Sequence, residues 1–378
     1  MEIGIDITPL LSKKTGVGVY TEKLLEKLLH VAINHQFKLG AFAWGFSDSI
    51  IHELYEKYRS QNVSIRIYRG PASLLRWFWY RLNLPKVEAM YGFTDVYHSP
   101  NFIAPAAKKV PIIITVHDLA FVKFPAQFPV PHNYRTYISA SVKRSSKIIA
   151  VSVNTKRDLI DLFDLPEEKI EVIYQGLDAE RFKPLPTSAV KNFLGHRGLP
   201  KKYFIFVGTL EPRKNLVTLL KAFCDIKKQN KESHKLLVVG EKGWHYRDIF
   251  QMVASLDISR EVIFLGYVPE EELPYLYNGA DLLLYPSLYE GFGLPILEAM
   301  ACGTPVITSN ISSLPEVAGK AAILIDPIDE KGLKSAIESL ISDKNAYLRC
   351  QELGFAQVKK FSWEQCAIKT LDVYQSVQ

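Results

Sequence analysis

The sequence predicts an α/β protein built from two doubly wound parallel sheets. The chain has 378 residues, more than one ordinary hydrophobic core needs. Hydrophobic residues make up 48 % of it and charged residues 23 %, the balance of a soluble globular protein. In both halves short apolar runs alternate with amphipathic stretches, a pattern typical of parallel strands joined by helices.

Twelve short apolar runs are predicted strands. They are 2–7, 37–43, 64–68, 95–98, 111–116 and 147–151 in the first half, and 203–208, 235–240, 262–265, 281–285, 305–308 and 322–325 in the second. Between them, stretches such as "YTEKLLEKLLHVA" and "LVTLLKAFCDIKK" carry leucines at helical spacing. Ligands of parallel sheets bind at the carboxyl ends of the strands, so the loops that follow the strands are expected to carry the site.

The predicted division is an N-terminal domain over 1–182, a C-terminal domain over 183–360 and a final helix within 361–378. The boundary rests on "FKPLPTSAV" (182–190), whose prolines and small polar residues are typical of a linker. The final helix, "FSWEQCAIKTLDVYQ", is a candidate to pack back on the first domain.

Composition excludes several classes of protein. Met1 is followed by an acid and a short strand-like run rather than by a signal peptide, and the longest apolar runs are far too short to span a bilayer. The chain is therefore expected in the cytosol or on the inner face of a membrane. A net charge of +6 fits anionic small molecules or lipid, and no basic stripe or module indicates nucleic-acid binding.

The stretch "TGVGVYT" (15–21) places Gly16 and Gly18 before a predicted helix. Glycines let the backbone approach a ligand at a helix N-terminus. Thr21 stands where a dinucleotide fingerprint needs its third glycine, and the second strand ends without the required acid, so a nicotinamide enzyme is disfavoured. A plain tight turn is the alternative to a ligand loop.

The stretch "VGTLEPRKNL" (207–216) puts Arg213 and Lys214 just before a predicted helix. Two cations at a helix N-terminus oppose the helix dipole, which favours a bound anion over two solvated charges. A planar guanidinium and a compact ammonium together suit a diphosphate.

The stretch "YEGFGLPILEAM" (289–300) carries Glu290 and Glu298 on either side of a glycine-bearing bend. Pro295 fits the first turn of a helix that stops at Gly303, which predicts Glu290 in the preceding loop and Glu298 on the first turn. Carboxylates accept hydrogen bonds from sugar hydroxyls, and a helix N-terminus binds phosphate. The stretch therefore suits a nucleotide sugar, and a helix start whose acids merely favour the dipole is the alternative.

Taken in order, these stretches resemble the retaining glycosyltransferases of family 4, which have the two-domain GT-B fold. "EGFGLPILE" looks like the E-x7-E signature of that family. Other fragments that carry the resemblance are "DVYHSPNFIAP", "VHDLAFVKFP", "IIAVSVNTKRDL", "VIYQGLDAERF", "VVGEKGW", "FLGYVPEEELPYLYNGADLLLYPS" and "SLPEVAG". The resemblance implies two Rossmann-like domains that face each other across a cleft.

The resemblance also implies roles for individual residues. Glu290 would contact hydroxyls of the donor sugar and Glu298 the ribose. His117 would lie near the transferred sugar, with Asp118 orienting it. The other implied contacts are Arg213 and Lys214 on the diphosphate, Gly208 and Thr209 in the phosphate loop, Tyr267 and Val268 along the base, backbone N–H groups around Gly291, Phe292, Gly293 and Leu294 at the sugar and diphosphate, and Gly16 and Gly18 closing the cleft.

One departure from the family concerns Thr209, because many members carry arginine at this position. Arg213 is the candidate to replace it, since a departing phosphate needs positive charge as the bond breaks. No D-x-D motif suits a metal–diphosphate site, and the acids of "DPID" (326–329) are wrongly spaced for one. The expected enzyme therefore needs neither a metal nor a cofactor.

Several functions stay open at this point. "GTLEPRKN" followed by "GEKGW" resembles bacterial mannosyltransferases of surface-polysaccharide assembly, including lipopolysaccharide. That resemblance suggests GDP-mannose as the donor and a saccharide or lipid-linked saccharide as the acceptor. UDP-glucose, UDP-N-acetylglucosamine or a deoxysugar nucleotide are alternative donors. An epimerase would lack the E-x7-E signature and a phosphorylase would need a much longer chain, whereas a catalytically inactive sugar-nucleotide-binding module fits the same residues.

The stretch "LLRWFWYRLNLPK" (74–86) has four consecutive aromatic residues flanked by Arg76 and Arg81. At helical spacing Trp77 and Tyr80 share one side, whereas Phe78 and Trp79 point elsewhere. Aromatic and cationic residues together suit a membrane interface. The alternative is a helix packed on the first domain's sheet, with its outer aromatics lining an acceptor cleft.

Overall fold

The computed structural model of the chain describes residues 1–11, 16–43, 48–125, 128, 134–229 and 233–378. The chain divides into two compact units, each with its own parallel sheet. Unit 1 comprises Met1–Val122, Val130–Gly176 and Trp363–Gln378, and unit 2 comprises Lys123–Pro129 and Leu177–Ser362. The main change of unit, between Gly176 and Leu177, lies ahead of the boundary predicted at 182–183.

Unit 1 contains a seven-stranded sheet in the order β3-β2-β1-β4-β5-β6-β7, with all neighbouring strands parallel. Its strands are β1 (Glu2–Asp6), β2 (Gln36–Ala43), β3 (Val63–Arg69), β4 (Val96–Ser99), β5 (Ile112–Val116), β6 (Lys147–Ala150) and β7 (Ile170–Val172). The six predicted strands are present, with each end within one residue of its prediction. Strand β7 was missed because three residues are too few to show a periodicity.

In the described part of the chain, the first seven helices of unit 1 lie on the two faces of this sheet and, with the last helix of the chain, bury two apolar clusters against it. They are α1 (Gly16–Val31), α2 (Asp48–Tyr58), α3 (Ala72–Arg81), α4 (Val87–Tyr91), α5 (Ala120–Lys123), α6 (Tyr134–Arg144) and α7 (Val153–Phe163). Strands β4 and β5 are buried along their whole length, as expected of parallel strands packed on both sides.

Unit 2 contains a six-stranded parallel sheet in the order β10-β9-β8-β11-β12-β13. Its strands are β8 (Tyr203–Val207), β9 (Lys235–Val239), β10 (Val262–Gly266), β11 (Leu282–Tyr285), β12 (Val306–Ser309) and β13 (Ala322–Ile325). Its helices are α8 (Thr187–His196), α9 (Leu216–Lys228), α10 (Tyr246–Ser255), α11 (Leu273–Gly279), α12 (Leu294–Ala301), α13 (Leu314–Ala318), α14 (Glu330–Ser342) and α15 (Lys344–Val358).

The last helix, α16 (Trp363–Gln375), packs on α1 and belongs to unit 1. It buries Trp363 and Tyr374 in the same apolar cluster as Leu24 and Leu28 of α1. The backbone of Trp363 lies so close to Gly176 that a Cβ there would come within 2.1 Å of the Trp363 nitrogen. Glycine is therefore required where α16 joins the unit.

Both sheets reverse their strand order at one place, between β1 and β4 in unit 1 and between β8 and β11 in unit 2. At such a switch point the two following loops diverge and leave a crevice at the carboxyl ends of the strands. The loop after β11 is "PSLYEGFG", which carries Glu290. Within the described ranges, no helix has the length and apolar character needed to cross a bilayer.

Candidate active site

The loops after β8 and β11 bring the predicted cations to the first glutamate of the E-x7-E pattern. Glu290 Oε1 accepts hydrogen bonds from Lys214 Nζ at 2.6 Å and from the hydroxyl of Tyr285 at 2.7 Å. Its Oε2 accepts one from Arg213 Nη1 at 2.7 Å. Sequence positions more than seventy residues apart are thus joined in one buried cluster, in which Glu290 and Lys214 are each only 6 % exposed.

The cluster has as many carboxylates as cations. Arg213 also pairs through Nε with Glu211, whose Oε1 lies 2.5 Å away and which is 2 % exposed. Arg213 and Lys214 are therefore compensated by Glu211 and Glu290. Glu211 lies within "EPRKN" itself and was overlooked when a bound anion was favoured for these cations, whereas nothing local to that stretch indicates that Glu290 folds against it.

The charges hold Glu290 ionised. Burial alone would raise its pKa, but the ammonium of Lys214 and the guanidinium of Arg213 outweigh burial and bring the pKa down to about 2. Burial and the neighbouring Arg213 lower the pKa of Lys214, and the attraction of Glu290 opposes that change. At neutral pH the pair is therefore an ion pair with a firmly ionised carboxylate.

The backbone around Glu290 is fixed by two serines that precede α13. Ser312 Oγ accepts from the Glu290 N–H at 3.0 Å and donates to the Glu290 carbonyl at 2.7 Å. Ser313 Oγ lies 3.0 Å from the same carbonyl and donates to the Phe292 carbonyl at 2.8 Å. Because Gly291 and Phe292 are also buried, the bend is held rigidly before the helix begins.

Helix α12 starts one residue earlier than its proline suggests. Gly293 precedes it with φ +116°, and a Cβ there would meet Leu314 Cδ2 at 3.0 Å, so only glycine fits without strain. The helix begins at Leu294, which puts Glu298 beyond its first turn. The prediction that Glu298 lies on the first turn was therefore wrong.

Glu298 has a different environment from Glu290. Its Oε2 accepts from the Tyr277 hydroxyl at 2.8 Å. Burial raises its pKa to about 7, the Tyr277 hydrogen bond opposes the rise, and the charge of Glu270 adds to it. The two glutamates of one pattern thus differ: Glu290 is ionised throughout the physiological range, whereas Glu298 titrates within it.

The predicted phosphate loop lies beside Lys214. A Cβ on Gly208 would be 3.4 Å from Lys214 Cε, so the lysine stem runs along this glycine. Gly240, after β9, has φ +144° and approaches so closely that a Cβ would be 2.0 Å from the Gly208 carbonyl oxygen. Thr209 is exposed next to this pair of glycines. After β10, Tyr267 is 56 % exposed and Val268 is buried.

In unit 1, His117 follows β5 and is held by protein groups on both ring nitrogens. Nε2 lies 3.0 Å from the Pro100 carbonyl, which can only accept, so Nε2 carries the proton. Nδ1 then accepts from Gln175 Nε2 at 3.3 Å. The ring meets the edge of Tyr20 at 4.7 Å, and burial lowers the pKa of His117, so the imidazole is neutral at pH 7.

Asp118 does not hydrogen-bond to His117. Its carboxylate accepts from the Ala120 N–H at 3.2 Å, and its negative charge acts to raise the pKa of His117. The orienting contacts come instead from Pro100 and Gln175. Gly16 and Gly18 form the first turn of α1, with Gly18 buried, whereas residues 12–15, including Thr15 of the glycine motif, lie outside the described residues.

Two family models match the chain. One, described as Glycosyltransferase Family 4, covers residues 15–181, and the other, described as Glycosyl transferases group 1, covers residues 195–356. The O-antigen chain mannosyltransferase B of Escherichia coli is 30 % identical over 99 % of this chain and 100 % of its own length. The chain belongs to the glycosyltransferase family that these two models describe.

Two further comparisons agree with the assignment. This glycosyltransferase is 34 % identical to the O-antigen chain mannosyltransferase RfbU of Salmonella typhimurium over 60 % of each chain. The solved structure of sucrose-phosphate synthase from Thermosynechococcus elongatus superimposes with a TM-score of 0.77 at 21 % identity, over 100 % of this chain and 98 % of that one. The latter similarity supports the predicted GT-B fold with its two Rossmann-like domains.

Several residues of the site were not found from the sequence. Tyr285 hydrogen-bonds to Glu290, and Tyr277 hydrogen-bonds to Glu298. Ser312 and Ser313 hydrogen-bond to the backbone of the loop that carries Glu290. A tyrosine at the end of an apolar strand is indistinguishable from a core residue in the sequence. Gln175 could have been suspected from "IYQGLD", where a polar side chain follows strand β7, but that strand itself was not predicted.

Proposed function

We propose that the protein transfers mannose from GDP-mannose to a saccharide or lipid-linked saccharide, with retention of the anomeric configuration and without a metal. The observation that carries the proposal is the junction of Lys214 and Arg213 with Glu290 at the switch point of the second sheet. In the proposed mechanism the two cations serve the leaving diphosphate and the carboxylate serves the sugar hydroxyls, which are roles that suit their chemistry.

The proposed reaction breaks the bond between the anomeric carbon and the diphosphate oxygen and forms a bond from that carbon to an acceptor hydroxyl oxygen on the same face. The electron pair leaves with the diphosphate, where Lys214 and Arg213 stabilise it, and the proton of the acceptor hydroxyl passes to the departing diphosphate oxygen. The described residues take two of the three N–H donors of Lys214, through Tyr285 and Glu290. Negative charge on Glu290 stabilises the sugar as it becomes cationic.

Mannose and the surface-polysaccharide role are suggested by the relatives, which bear the name O-antigen chain mannosyltransferase. The test is a panel of GDP-mannose, UDP-glucose, UDP-N-acetylglucosamine and a deoxysugar nucleotide, measured by thermal shift and by turnover. We expect GDP-mannose to raise the melting temperature most, because a ligand that binds only the native state stabilises it. Binding without any turnover, even with varied acceptors, would favour an inactive binding module.

Retention and metal independence have separate measurements. The anomeric configuration of the product, read by NMR, should match that of the donor, and an inverted product would refute retention. Activity should survive EDTA because Arg213 and Lys214 supply the positive charge otherwise given by a divalent ion. Complete loss on chelation, restored by Mg²⁺ or Mn²⁺, would refute metal independence.

Peripheral contact with the cytoplasmic face of a membrane is the second part of the proposal, and helix α3 supports it. Leu74, Trp77 and Tyr80 are 50 %, 43 % and 36 % exposed, and Leu82 and Leu84 beyond the helix are 54 % and 51 % exposed. Residues 70–86 contain Arg76, Arg81 and Lys86 and no acid. Exposed apolar side chains in a segment whose charged residues are all cations suit an anionic bilayer surface.

A further inference from the structure

Tyr285 is the last residue of β11, and its side chain is in direct contact with Glu290 and Lys214. It is 1 % exposed, and its ring stacks on Phe206 with centroids 6.1 Å apart. Its hydroxyl donates to Glu290 Oε1 at 2.7 Å and accepts from Lys214 Nζ at 2.9 Å. With the 2.6 Å bond between Lys214 and Glu290, three polar atoms form a closed triangle.

The direction of each bond in the triangle follows from chemistry. An ammonium only donates and an ionised carboxylate only accepts, so the phenol accepts from Lys214 and donates to Glu290. Burial and the charge of Glu290 raise the pKa of Tyr285 well above its usual value, which keeps the proton on its oxygen. The phenol therefore satisfies both ions at once and adds no charge to the cluster.

Without the hydroxyl, the ions would be less well fixed. Glu290 Oε2 would still face Arg213, but Oε1 would have only the lysine, and the lysine would lose one of its two acceptors. A flexible four-carbon stem with one remaining carboxylate partner can rotate about it, whereas a triangle with a stiff aromatic corner cannot. Rate depends on such placement to within about 1 Å.

We propose that Tyr285 is a positioning residue for the transfer reaction, which fixes the carboxylate of Glu290 and the ammonium of Lys214 relative to each other. The inference rests on the proposed function, since it assigns Tyr285 a role through two residues that are proposed to contact the donor. Tyr285 itself is not proposed to contact the substrate. It acts as a rigid hydrogen-bonding corner inside the protein.

The test is Tyr285→Phe, which keeps the ring on Phe206 and removes only the hydroxyl. The matched control is Tyr203→Phe on β8 of the same sheet, which is fully buried and donates to the Leu276 carbonyl at 2.7 Å. We expect Tyr285→Phe to lower kcat about tenfold or more, the rate effect of one lost hydrogen bond to a charged group. GDP affinity should change less than about threefold, and Tyr203→Phe should leave kcat unchanged.

Equal effects of both substitutions on kcat and melting temperature would show that Tyr285 is only a core residue. Loss of GDP affinity with unchanged kcat would show that the hydroxyl serves Lys214 alone, which also overturns the proposal. A crystal structure of Tyr285→Phe gives a readout independent of activity. We expect the Glu290 carboxylate or the Lys214 ammonium to move by about 1 Å, and an unmoved pair would overturn the inference.

Failure of the proposed function gives a different result. If the native protein turns over none of the nucleotide sugars, the proposed function fails, yet the geometry of the Tyr285→Phe structure still tests whether the hydroxyl positions the two ions. If the native protein is active and Tyr285→Phe is equally active with unchanged geometry, only the inference about Tyr285 fails.

Discussion

Glu290 is hydrogen-bonded to Arg213 and Lys214, the two cations that the sequence assigned to a bound anion. These contacts determine the effect expected of replacing Glu290. Glu290→Gln removes one negative charge from a balanced cluster and leaves Lys214 with an amide partner. We expect transfer to fall about 100-fold or more, because charge that stabilises the transition state is lost. GDP should bind as tightly as before or more tightly, because the excess positive charge attracts the diphosphate.

The measurement is steady-state kinetics together with calorimetric titration of GDP. Glu261→Gln is a suitable control, since Glu261 pairs with Lys227 and Lys235 elsewhere in unit 2. A variant that loses GDP binding but retains its kcat would indicate that Glu290 contributes to ground-state binding and does not stabilise the transition state specifically.

Glu298 provides a test based on pH. Its pKa is raised to about 7 in the folded protein, so the folded state binds more protons than the unfolded chain between pH 4.5 and 7. The stability from this group is fully present below pH 4.5 and is lost as pH rises through 7. Glu298→Gln has no such titration, so the melting temperature of the variant minus that of the native protein should increase from pH 5 to pH 8.

Nucleotide binding should show the opposite trend. Ribose hydroxyls donate to an ionised carboxylate, so GDP affinity should rise more steeply through pH 7 in the native protein than in Glu298→Gln, which keeps only the pH dependence of the GDP phosphate itself. Parallel pH profiles of the two proteins would show that Glu298 does not contact the nucleotide or does not titrate near neutrality.

At the scale of elements, helix α3 shows how one amphipathic segment divides its aromatic residues. Trp79 is 6 % exposed and donates through Nε1 to the Pro85 carbonyl at 3.0 Å, whereas Trp77 and Tyr80 face outward. The sequence correctly put Trp77 and Tyr80 on a shared side. Because Trp79 is a core residue, a membrane test must leave it in place.

We expect the native chain to float with vesicles that contain anionic phospholipid and a Leu74→Ser, Trp77→Ser variant to stay in the dense fraction. The reason is the loss of exposed apolar area next to Arg76 and Arg81, and binding should also weaken as salt screens these cations. Ile33→Ser, at a residue that is 68 % exposed outside this segment, is the control. Equal flotation of native and double variant, or no flotation of either, would exclude α3 as a membrane contact.

At the scale of the whole molecule, the last helix stabilises the first unit although it follows the second along the chain. Trp363 is 5 % exposed and meets Tyr20 of α1 with ring centroids 5.9 Å apart. Trp363→Ala should lower the free energy of unfolding by about 3–5 kcal/mol. Hydrogen exchange read by mass spectrometry should then increase in α1 and the β1–β7 sheet.

The matched control is Leu340→Ala, which truncates a fully buried side chain of α14 in unit 2. Its faster exchange should appear in unit 2 instead. If Trp363→Ala accelerates exchange mainly in unit 2, then α16 does not stabilise the unit to which its contacts assign it.

The sequence by itself determined the fold class, twelve of the thirteen strands that the structure describes, and the loops in which the candidate site residues lie. Parallel strands buried on both faces are continuous apolar runs, and a helix start marked by glycine and proline is encoded within a few residues. For that reason "EGFGLPILE" and "EPRKN" could be placed in loops at strand ends. The family resemblance then gave residues such as Glu290 and Lys214 their expected roles.

Only the tertiary structure decided which partners these residues have. Lys214 and Glu290 meet because β8 and β11 are neighbours in the sheet, although the two residues are separated by 76 positions along the chain. The local pattern also could not indicate that Glu290 completes the charge balance of Arg213 and Lys214, or that burial raises the pKa of Glu298 to about 7. Charge balance and desolvation depend on everything packed around a group, and a short stretch of sequence specifies only its own conformation.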